Sequence, residues 1–435
     1  MRVLVSFPGN FMHARQAARA YYERGALAAF VTGAAFGENS LPLRLCEYLP
    51  ERLGRRLKKE LQRRAVTEIP PTMIVSYPWL ETLRAALARY VKNPVCADLA
   101  WEAMSHRFDR TVARQHLRGI GAVHAFEYTA NATFEEAKRR GVARILALPS
   151  TDSKEFETIK SREESCFPEL RARHERYFAR RFAARYERRR AEIALADVIV
   201  ANSEVTRRSH IRAGADPEKI VAVPLAGPAP IERVRKRTAD LTGPLSVVWA
   251  GPFSIRKGAH YFLDAWRALD AGGRASARVY GSIGLPDRVM RPLPQGIDLR
   301  GSVPQAELFA AFEKADVLVF PTLADGFGMV VTEAFSRGLP VITTDKAGAS
   351  DLVKDRRNGL VVPAADAGAL LEALSWCLDN RRTLYEMRFH AIETARRWQW
   401  PDCRRLLIAR ISEGLARAGY EADFGSGLVE IALRA

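Results

Sequence analysis

The chain has 435 residues and a net charge of +17, from 67 Lys and Arg against 50 Asp and Glu. With 48% apolar and 27% charged residues, the composition excludes wholesale disorder. No apolar run reaches the roughly 18 residues that a membrane-spanning helix needs, and the strand-like first residues do not resemble a signal peptide. The five cysteines are odd in number and lack metal-like spacing, which fits a reduced, cytoplasmic compartment.

The positive charge is concentrated in the first half of the chain. Residues 229–435 hold 28 basic and 24 acidic side chains, a surplus of four, so residues 1–228 carry the remaining 13 charges. Two segments, 51–65 with +5 and 171–190 with +7, supply 12 of the 17 charges. This surplus indicates an anionic partner on the N-terminal side: a membrane surface, nucleic acid or an acidic substrate.

Strand-like apolar runs bounded by turn residues alternate with helical stretches, which predicts α/β domains with parallel sheets. In the first half, the predicted strands are Arg2–Phe7, Leu27–Val31, Thr72–Val75, Ala122–Phe126, Arg144–Ala147 and Asp197–Ala201. In the second half, they are Ser246–Ala250, Ala277–Tyr280, Ile297–Arg300, Val317–Phe320, Pro340–Thr343 and Leu360–Val362. The pattern in each half of the chain therefore predicts one Rossmann-like, doubly wound domain.

The boundary between the two predicted domains is rich in proline and glycine. The segment Pro224–Pro230, PLAGPAP, is typical of a linker and divides the chain into residues 1–228 and 229–435. A helical stretch at 404–419 has no predicted strand after it. It either closes the second domain or crosses back to the first.

The most informative stretch begins where a predicted strand ends at Pro321. Asp325 precedes a Gly-Phe-Gly sequence and a predicted helix, and Glu333 lies eight residues further on. Glycines at such a point let backbone N–H groups approach a phosphate, and a helix N-terminus favours an anion. Two carboxylates at this separation can face one cleft and contact different hydroxyls of a ligand, although in isolation each would be an ordinary turn or surface acid.

The order of acid, seven residues, Glu-Ala and then Gly-Leu-Pro-Val-Ile resembles the E-x7-E signature of retaining glycosyltransferases of family 4, which have the GT-B fold. Three further segments are similar to that family: Ala250–Gly258, Asp298–Val303 and Asp197–Ser203. The landmarks occur in the family's order over residues 197–380, the donor-binding half, whereas the resemblance before residue 190 is weak.

The resemblance implies two Rossmann-like domains facing a central cleft and a metal-independent hexosyltransferase with no cofactor. Its donor would be a UDP- or GDP-type sugar, transferred with retention of configuration. Lys257 and Arg256 would stabilise the departing diphosphate, Asp325 would hold sugar hydroxyls, and Glu333 would hold the ribose. The remaining expected donor-binding residues are Gly9, Gly251, Gly281, Val303, Gly326, Phe327, Gly328, Met329 and Val330. No Asp-x-Asp or His/Cys/Asp cluster in the sequence offers a metal site.

The sequence also departs from the family pattern. Asp325 is one methylene shorter than the usual Glu, and Pro252 stands where many members have Arg. The segment Ile145–Ser150 lacks the family's acceptor-side His; Ser150 stands nearest that position, and His124, at the end of the preceding predicted strand, is the alternative. An inactive transferase therefore stays open.

The two basic segments suggest where the protein works. In 51–65, leucines recur every four residues among cations, which is typical of an amphipathic helix at an anionic leaflet. In 171–190, aromatic side chains interleave with nine arginines, and a core-facing aromatic stripe is an equal alternative. We hypothesise a peripheral protein on the inner face of the cytoplasmic membrane that acts on a lipid-linked glycan or a cell-envelope polysaccharide precursor.

Two other classes of protein remain open as alternatives. A nucleotide-sugar epimerase shares the GT-B fold but lacks this combination of Lys-Gly and acid-x7-Glu. A basic nucleic-acid-binding protein would use 51–65 and 171–190, but it leaves Asp325–Glu333 unexplained and carries no matching motif. The favoured partners are therefore a nucleotide sugar, a glycan acceptor and a membrane, with no nucleic acid and an undetermined oligomeric state.

Overall fold

A computed structural model of the chain describes residues 1–9, 11–33, 35, 46–48, 50–62, 65–78, 93–171, 174–234, 243–270 and 272–425. These residues form two parallel β-sheets with helices on their faces, so the predicted α/β architecture with two doubly wound sheets is confirmed.

The N-terminal sheet has seven parallel strands in the order β3-β2-β1-β4-β5-β6-β7. The strands are β1 Val3–Phe7, β2 Leu27–Thr32, β3 Ile74–Ser76, β4 Ala122–Phe126, β5 Ala143–Leu148, β6 Val198–Ala201 and β7 Ile220–Ala222. The three-residue β7 was not among the predicted strands. The strand order reverses between β1 and β4, and open α/β sheets bind ligands beside such a reversal, at the carboxyl ends of the strands.

The C-terminal sheet has six parallel strands in the order β10-β9-β8-β11-β12-β13. The strands are β8 Leu245–Ala250, β9 Ala275–Tyr280, β10 Ile297–Gly301, β11 Val317–Phe320, β12 Val341–Thr344 and β13 Gly359–Val362. Here the order reverses between β8 and β11, which brings the loops after these two strands together.

The helices cover both faces of the two sheets. They are α1 Met12–Tyr22, α2 Glu51–Gln62, α3 Pro94–Gln115, α4 Asn131–Arg139, α5 Ser153–Cys166, α6 Glu175–Leu195, α7 Glu204–Arg212, α8 Ala259–Leu269, α9 Asp287–Met290, α10 Gln305–Lys314, α11 Met329–Ser336, α12 Ala367–Asp379, α13 Arg381–Arg397 and α14 Trp400–Arg417. Within the described ranges, no helix is both long enough and apolar enough to cross a membrane.

The last helix, α14, joins the N-terminal domain. Its residues Leu407 and Ile411 lie in the same buried apolar cluster as Val3 and Phe30 of the first sheet. Arg404 is 6% exposed, and its guanidinium donates hydrogen bonds of 2.7 Å to the side chains of Gln16 in α1 and of Glu23, which directly follows α1. Helix α14 therefore links the C-terminal domain to the N-terminal one. The burial of Arg404 is tolerated because its guanidinium is hydrogen-bonded.

A second link between the domains runs the other way, from the end of α5. Leu170 is 2% exposed and belongs to the buried core of the C-terminal domain, where Phe253 also lies. The Glu163 carboxylate accepts hydrogen bonds from His260 Nε2 at 2.9 Å and from the Tyr261 hydroxyl at 2.8 Å, both in the first turn of α8. Because Glu163 and His260 are buried, this contact fixes α8 against the N-terminal domain.

Candidate functional site

Glycines line the carboxyl ends of the first C-terminal strands. The Gly251 N–H donates to the Tyr280 carbonyl at 2.8 Å, and the Gly281 N–H donates to the Gly301 carbonyl at 2.9 Å. Gly281 has a φ of +147°, and a Cβ at this position would lie 2.0 Å from the Gly251 carbonyl oxygen. Only glycine fits there, because the two backbone segments lie against each other. Gly251 has a φ of +116° and no atom within 4 Å of an added Cβ, so its backbone is open to a ligand.

The turn Ile255–Lys257 follows this edge and carries both predicted cations. The Arg256 carbonyl accepts hydrogen bonds from Leu323 N at 2.9 Å and from the Thr322 hydroxyl at 3.0 Å, which attaches the turn to the loop after β11. The Lys257 side chain is buried, whereas Arg256 is exposed. The two neighbouring cations therefore have different surroundings: Lys257 is enclosed by protein, and the Arg256 side chain is open to solvent.

Lys257 and Asp325 contact each other directly. The Lys257 ammonium forms an ion pair and a hydrogen bond with the Asp325 carboxylate, and it lies 4.7 Å from the centre of the Phe320 ring. Burial lowers the pKa of Lys257, and Asp325 acts in the opposite direction. The structure thus brings together two residues that the sequence assigned to separate tasks, the diphosphate and the sugar.

The loop after Asp325 is held by residues of the N-terminal domain. The Gly326 carbonyl accepts hydrogen bonds from the hydroxyls of Ser203 at 2.5 Å and Thr206 at 3.0 Å, and all three groups are buried. A Cβ on Gly326 would lie 2.4 Å from the Pro149 carbonyl oxygen and 2.7 Å from Ser150 Cα. At Gly326, the predicted donor loop therefore packs directly against the backbone of the N-terminal domain, with no room for a side chain.

Helix α11 begins directly after this loop. Gly328, with a φ of +87°, precedes Met329, and Phe327 is buried beneath the loop. Backbone N–H groups at the start of α11 have no partner within the helix, which makes this terminus favourable for an anion. The residues predicted from Gly326 to Val330 thus form one continuous turn from loop into helix.

Glu333 lies one turn into α11 and is partly buried. Burial raises its pKa, while a hydrogen bond with the Gln305 side chain acts in the opposite direction. Val303 and Met329 pack on the same apolar cluster. Gln305, at the start of α10, was not identified from the sequence, because only the packing of α10 beside α11 brings it to Glu333.

The predicted N-terminal residues Gly9 and Ser150 lie on a different cavity. A pocket of 420 Å³ opens at the carboxyl ends of β1, β4 and β5. Its lining residues include Phe7, Gly9, Phe11, Trp101, Met104, Ser105, Phe108, Glu127, Tyr128, Thr129, Ser150 and Arg189. Gly9 lines this pocket of the N-terminal domain, and its expected contact with the donor diphosphate from across the cleft stays a prediction.

His124 does not lie at the end of its strand, so that placement was wrong. It is the third residue of β4, is 1% exposed, and its Nδ1 lies 3.1 Å from the Tyr21 hydroxyl. Burial lowers its pKa to about 3, so the imidazole is neutral. It lines a separate cavity of 50 Å³, also lined by His13 and Trp400, that lies beneath α14.

Part of the positive charge of the basic stretch 171–190 is paired within the protein. Arg181 and Arg185 form ion pairs with Glu102 on α3, and Arg188 pairs with Asp109. Arg176 and Arg180, at the start of α6, are exposed, and contact of this stretch with a membrane stays a prediction. The carboxylates of α3, which are distant in sequence, neutralise its inner side.

The other basic stretch, 51–65, is described only in part. Helix α2 ends at Gln62, Leu61 is 9% exposed, and Arg55 forms an ion pair of 2.8 Å with Glu51. Residues 63 and 64, and the side chains of Leu53 and Leu57, lie outside the described residues. Across the part of the chain that the structure describes, no three His, Cys, Asp or Glu side chains are grouped to hold a metal.

The chain is similar in sequence to known glycosyltransferases. The family model described as Glycosyl transferases group 1 matches residues 244–380. The putative colanic acid biosynthesis glycosyltransferase WcaL of Salmonella typhimurium is 31% identical over 175 residues, which are 37% of this chain and 43% of WcaL. The D-inositol 3-phosphate glycosyltransferase of Nocardia farcinica is 27% identical over 266 residues, 53% of this chain and 56% of that protein.

Among solved structures, Anabaena HepE in complex with UDP aligns with a TM-score of 0.59 at 14% identity, covering 95% of this chain and 100% of HepE. At this identity the likeness shows the fold alone, which is the GT-B fold. The chain spans about half the length of the curated relatives it matches.

Proposed function

Residues 244–380 form a domain of the glycosyl transferases group 1 family, and from that premise we propose that the chain transfers a sugar from a nucleoside diphosphate sugar to a glycan acceptor. The observation that carries this proposal is the partly buried Lys257–Asp325 pair, set between a glycine-lined sheet edge and the N-terminus of α11. Fixed cations and helix termini stabilise a departing diphosphate, because they are oriented before the reaction begins.

The donor is a UDP- or GDP-type sugar. HepE, which shares the fold, was solved with UDP and with UDP-glucose. The proposed roles are those that the sequence suggested: Arg256 and Lys257 hold the diphosphate, Asp325 holds sugar hydroxyls, and Glu333 holds the ribose. Their placement along one sheet edge supports this assignment, since β8 and β11 are neighbours and their loops meet.

Transfer proceeds with retention, by attack on the face from which the nucleotide leaves. The acceptor oxygen bonds to the anomeric carbon while the bond from that carbon to the diphosphate breaks, and the electron pair leaves with the diphosphate. A departing phosphate oxygen takes the acceptor proton. Lys257 and Arg256 supply the compensating positive charge, so the proposed mechanism needs no metal or other cofactor.

The acceptor is a lipid-linked glycan or a cell-envelope polysaccharide precursor. Support comes from the similarity to WcaL, a protein named for colanic acid biosynthesis. Segment 51–65 and the exposed arginines at the start of α6, Arg176 and Arg180, would hold the protein at the inner face of the cytoplasmic membrane.

A nucleotide-binding screen tests the central proposal. We expect UDP or GDP to raise the melting temperature and to bind in calorimetry, whereas CMP has only one phosphate and binds more weakly. Lys257→Ala should lose about tenfold or more in affinity for the nucleoside diphosphate. Lys354→Ala, at an exposed lysine of the same domain, is the matched control. Absence of binding by every nucleoside diphosphate would contradict the proposal.

Membrane docking has its own test. The full chain should sediment with vesicles containing phosphatidylglycerol at low salt and should be released as salt rises, because surface charge is screened. Charge reversal at Arg52, Arg55 and Lys58 should abolish sedimentation. Sedimentation that is equal on neutral phosphatidylcholine vesicles would argue against this part of the proposal.

A further inference from the structure

Among the described residues that line the 420 Å³ pocket of the N-terminal domain, Glu127, which follows β4, is the one that carries a carboxylate. Its Oε2 lies 3.5 Å from the Ser150 hydroxyl, and its Oε1 lies 3.3 Å from Arg189 Nε. An ionised carboxylate accepts about four hydrogen bonds, so two long contacts leave most of this capacity for a ligand.

The backbone directly after Glu127 is held in an unusual conformation. Tyr128, the next residue, has a φ of +75°, which is uncommon for a bulky residue. Its N–H donates to Glu192 Oε2 at 2.5 Å, and its hydroxyl donates to Glu102 Oε1 at 2.7 Å. The surrounding structure therefore fixes a strained turn, and strain of this kind is concentrated at functional sites.

The neighbouring carboxylates of Glu192 and Glu102 differ from that of Glu127 because they are hydrogen-bonded to groups of the protein. Glu192 accepts three backbone N–H bonds, from Tyr128, Ala130 and Asn131, and is fully buried. Glu102 accepts from Arg181 and Arg185 in addition to Tyr128, and its pKa is lowered to about 2 because these hydrogen bonds outweigh the effect of burial. These carboxylates build a scaffold, whereas Glu127 is the carboxylate that lines the pocket.

The aromatic side chains around the turn are equally constrained. Trp101 stacks on Tyr128 with ring centroids 4.8 Å apart and an interplanar angle of 11°. The Arg189 guanidinium lies 4.8 Å from the Tyr128 ring centre. The pocket therefore has a rigid apolar wall and a small number of fixed polar groups, the usual composition of a small-molecule site, and its volume is in the usual range.

The pocket also adjoins the donor loop. Ser150, which lines it, is the residue whose Cα would lie 2.7 Å from a Cβ on Gly326. Gly326 directly follows Asp325, the proposed sugar-holding carboxylate. A ligand in this pocket would therefore lie beside the sugar that the C-terminal domain presents.

We propose that this pocket binds one uncharged pyranose unit of the acceptor, and that Glu127 accepts a hydrogen bond from one of its hydroxyls. This inference rests on the proposed transferase function. The ligand is uncharged because Glu127 and Arg189 form an ion pair of 3.3 Å, so these two groups offer no net charge that would attract an ion. Sugar hydroxyls both donate and accept hydrogen bonds, so they can donate to Glu127 and accept from Arg189. They can also form hydrogen bonds with the hydroxyls of Ser105 and Ser150.

The test uses the full chain saturated with UDP and three methyl hexopyranosides as probes: the gluco, galacto and manno forms. Saturation-transfer NMR should detect binding of at least one methyl hexopyranoside to the unmodified chain. Glu127→Ala should weaken that binding by about tenfold or more, and Glu127→Gln should weaken it less, since the amide oxygen still accepts. Glu187→Gln, at an exposed acid of α6, is the control and should change nothing. Methyl glucuronoside, an anion, should bind more weakly than its neutral counterpart.

Two readouts separate this inference from the proposed function. UDP affinity, measured by calorimetry, should be the same within about twofold in both Glu127 variants, because the nucleotide contacts the other domain. If UDP binds but no methyl hexopyranoside does, or if Glu127→Ala and Glu127→Gln bind the sugar as the unmodified chain does, the pocket assignment is wrong and the donor assignment stands. If UDP itself fails to bind, the proposed function is what fails.

Discussion

Lys257 and Asp325 stand 68 residues apart in the chain and form a partly buried ion pair. One follows β8 and the other follows β11, and these strands are neighbours at the point where the strand order of the C-terminal sheet reverses. The pair has a physical consequence for a donor site. Lys257 is already neutralised by Asp325, so a diphosphate must share or take over this cation, while Arg256 is exposed and can contribute a charge without breaking a pair.

The first prediction concerns this ion pair. Lys257→Met should lower the free energy of unfolding by about 3 kcal/mol, because it leaves the Asp325 carboxylate without its cation in a mostly buried site. The double variant Lys257→Met with Asp325→Asn should recover part of that loss, since neither charge then remains. Urea denaturation of the two single variants and the double variant measures the coupling. Strictly additive losses would show that the two side chains do not interact.

Glu333 gives a prediction with a pH dependence. Burial raises its pKa above the ordinary 4.5, so the folded chain holds this proton more tightly than the unfolded chain. Ionisation at neutral pH therefore costs the folded state free energy, and Glu333→Gln should raise the melting temperature there. The gain should shrink as the pH falls towards 4.5, where the native side chain is itself protonated. The same variant should bind UDP less tightly, whereas a gain in stability with unchanged affinity would remove Glu333 from the nucleotide site.

The contact between Glu163 and His260 should behave in the opposite way. Burial raises the pKa of Glu163, but hydrogen bonds from His260 and Tyr261 outweigh burial and bring it below its ordinary value of 4.5. The ionised carboxylate therefore stabilises the folded state at neutral pH, and this contribution is lost as the pH falls below 4.5. Glu163→Gln should cost about 2 kcal/mol at neutral pH.

Small-angle scattering of the Glu163→Gln variant should show a larger radius of gyration, because the carboxylate joins the two domains. Glu169→Gln, at an exposed acid a few residues away, is the matched control for both measurements. An unchanged radius together with unchanged stability would mean that Leu170 and its neighbours hold the interface without the carboxylate.

Gly326 gives a steric prediction. A methyl group at this position would lie 2.4 Å from the Pro149 carbonyl oxygen, and backbone on both sides cannot yield easily. Gly326→Ala should therefore push the donor loop away from the N-terminal domain and lower stability by about 1–3 kcal/mol. Gly243→Ala, with no atom within 4 Å of the added Cβ, should leave the melting temperature unchanged. A Gly326→Ala protein with the original melting temperature and UDP affinity would show that the tight contact is not required.

Much of the fold was predictable because its signals are local. Twelve strands were predicted from apolar runs, whereas β7, which is only three residues long, has too little apolar pattern to be recognised. The donor-side candidates Asp325, Gly326 and Glu333 are close in sequence, so their spacing could be recognised. Gln305 and Glu127 could not be identified in this way, because each acquires its neighbours only through the packing of separate elements.

The net charge of +17 also has one aspect that the sequence determines and one that depends on the packing of the chain. The sequence by itself determined that the surplus lies in residues 1–228, because charge is a property of composition. Only the tertiary structure decided what that charge does. Arg181, Arg185 and Arg188 of α6 face the carboxylates of α3, some 80 residues earlier in the chain, and build the scaffold behind the N-terminal pocket. Ion pairs across such distances depend on how two helices pack on one sheet, and no local pattern records that packing.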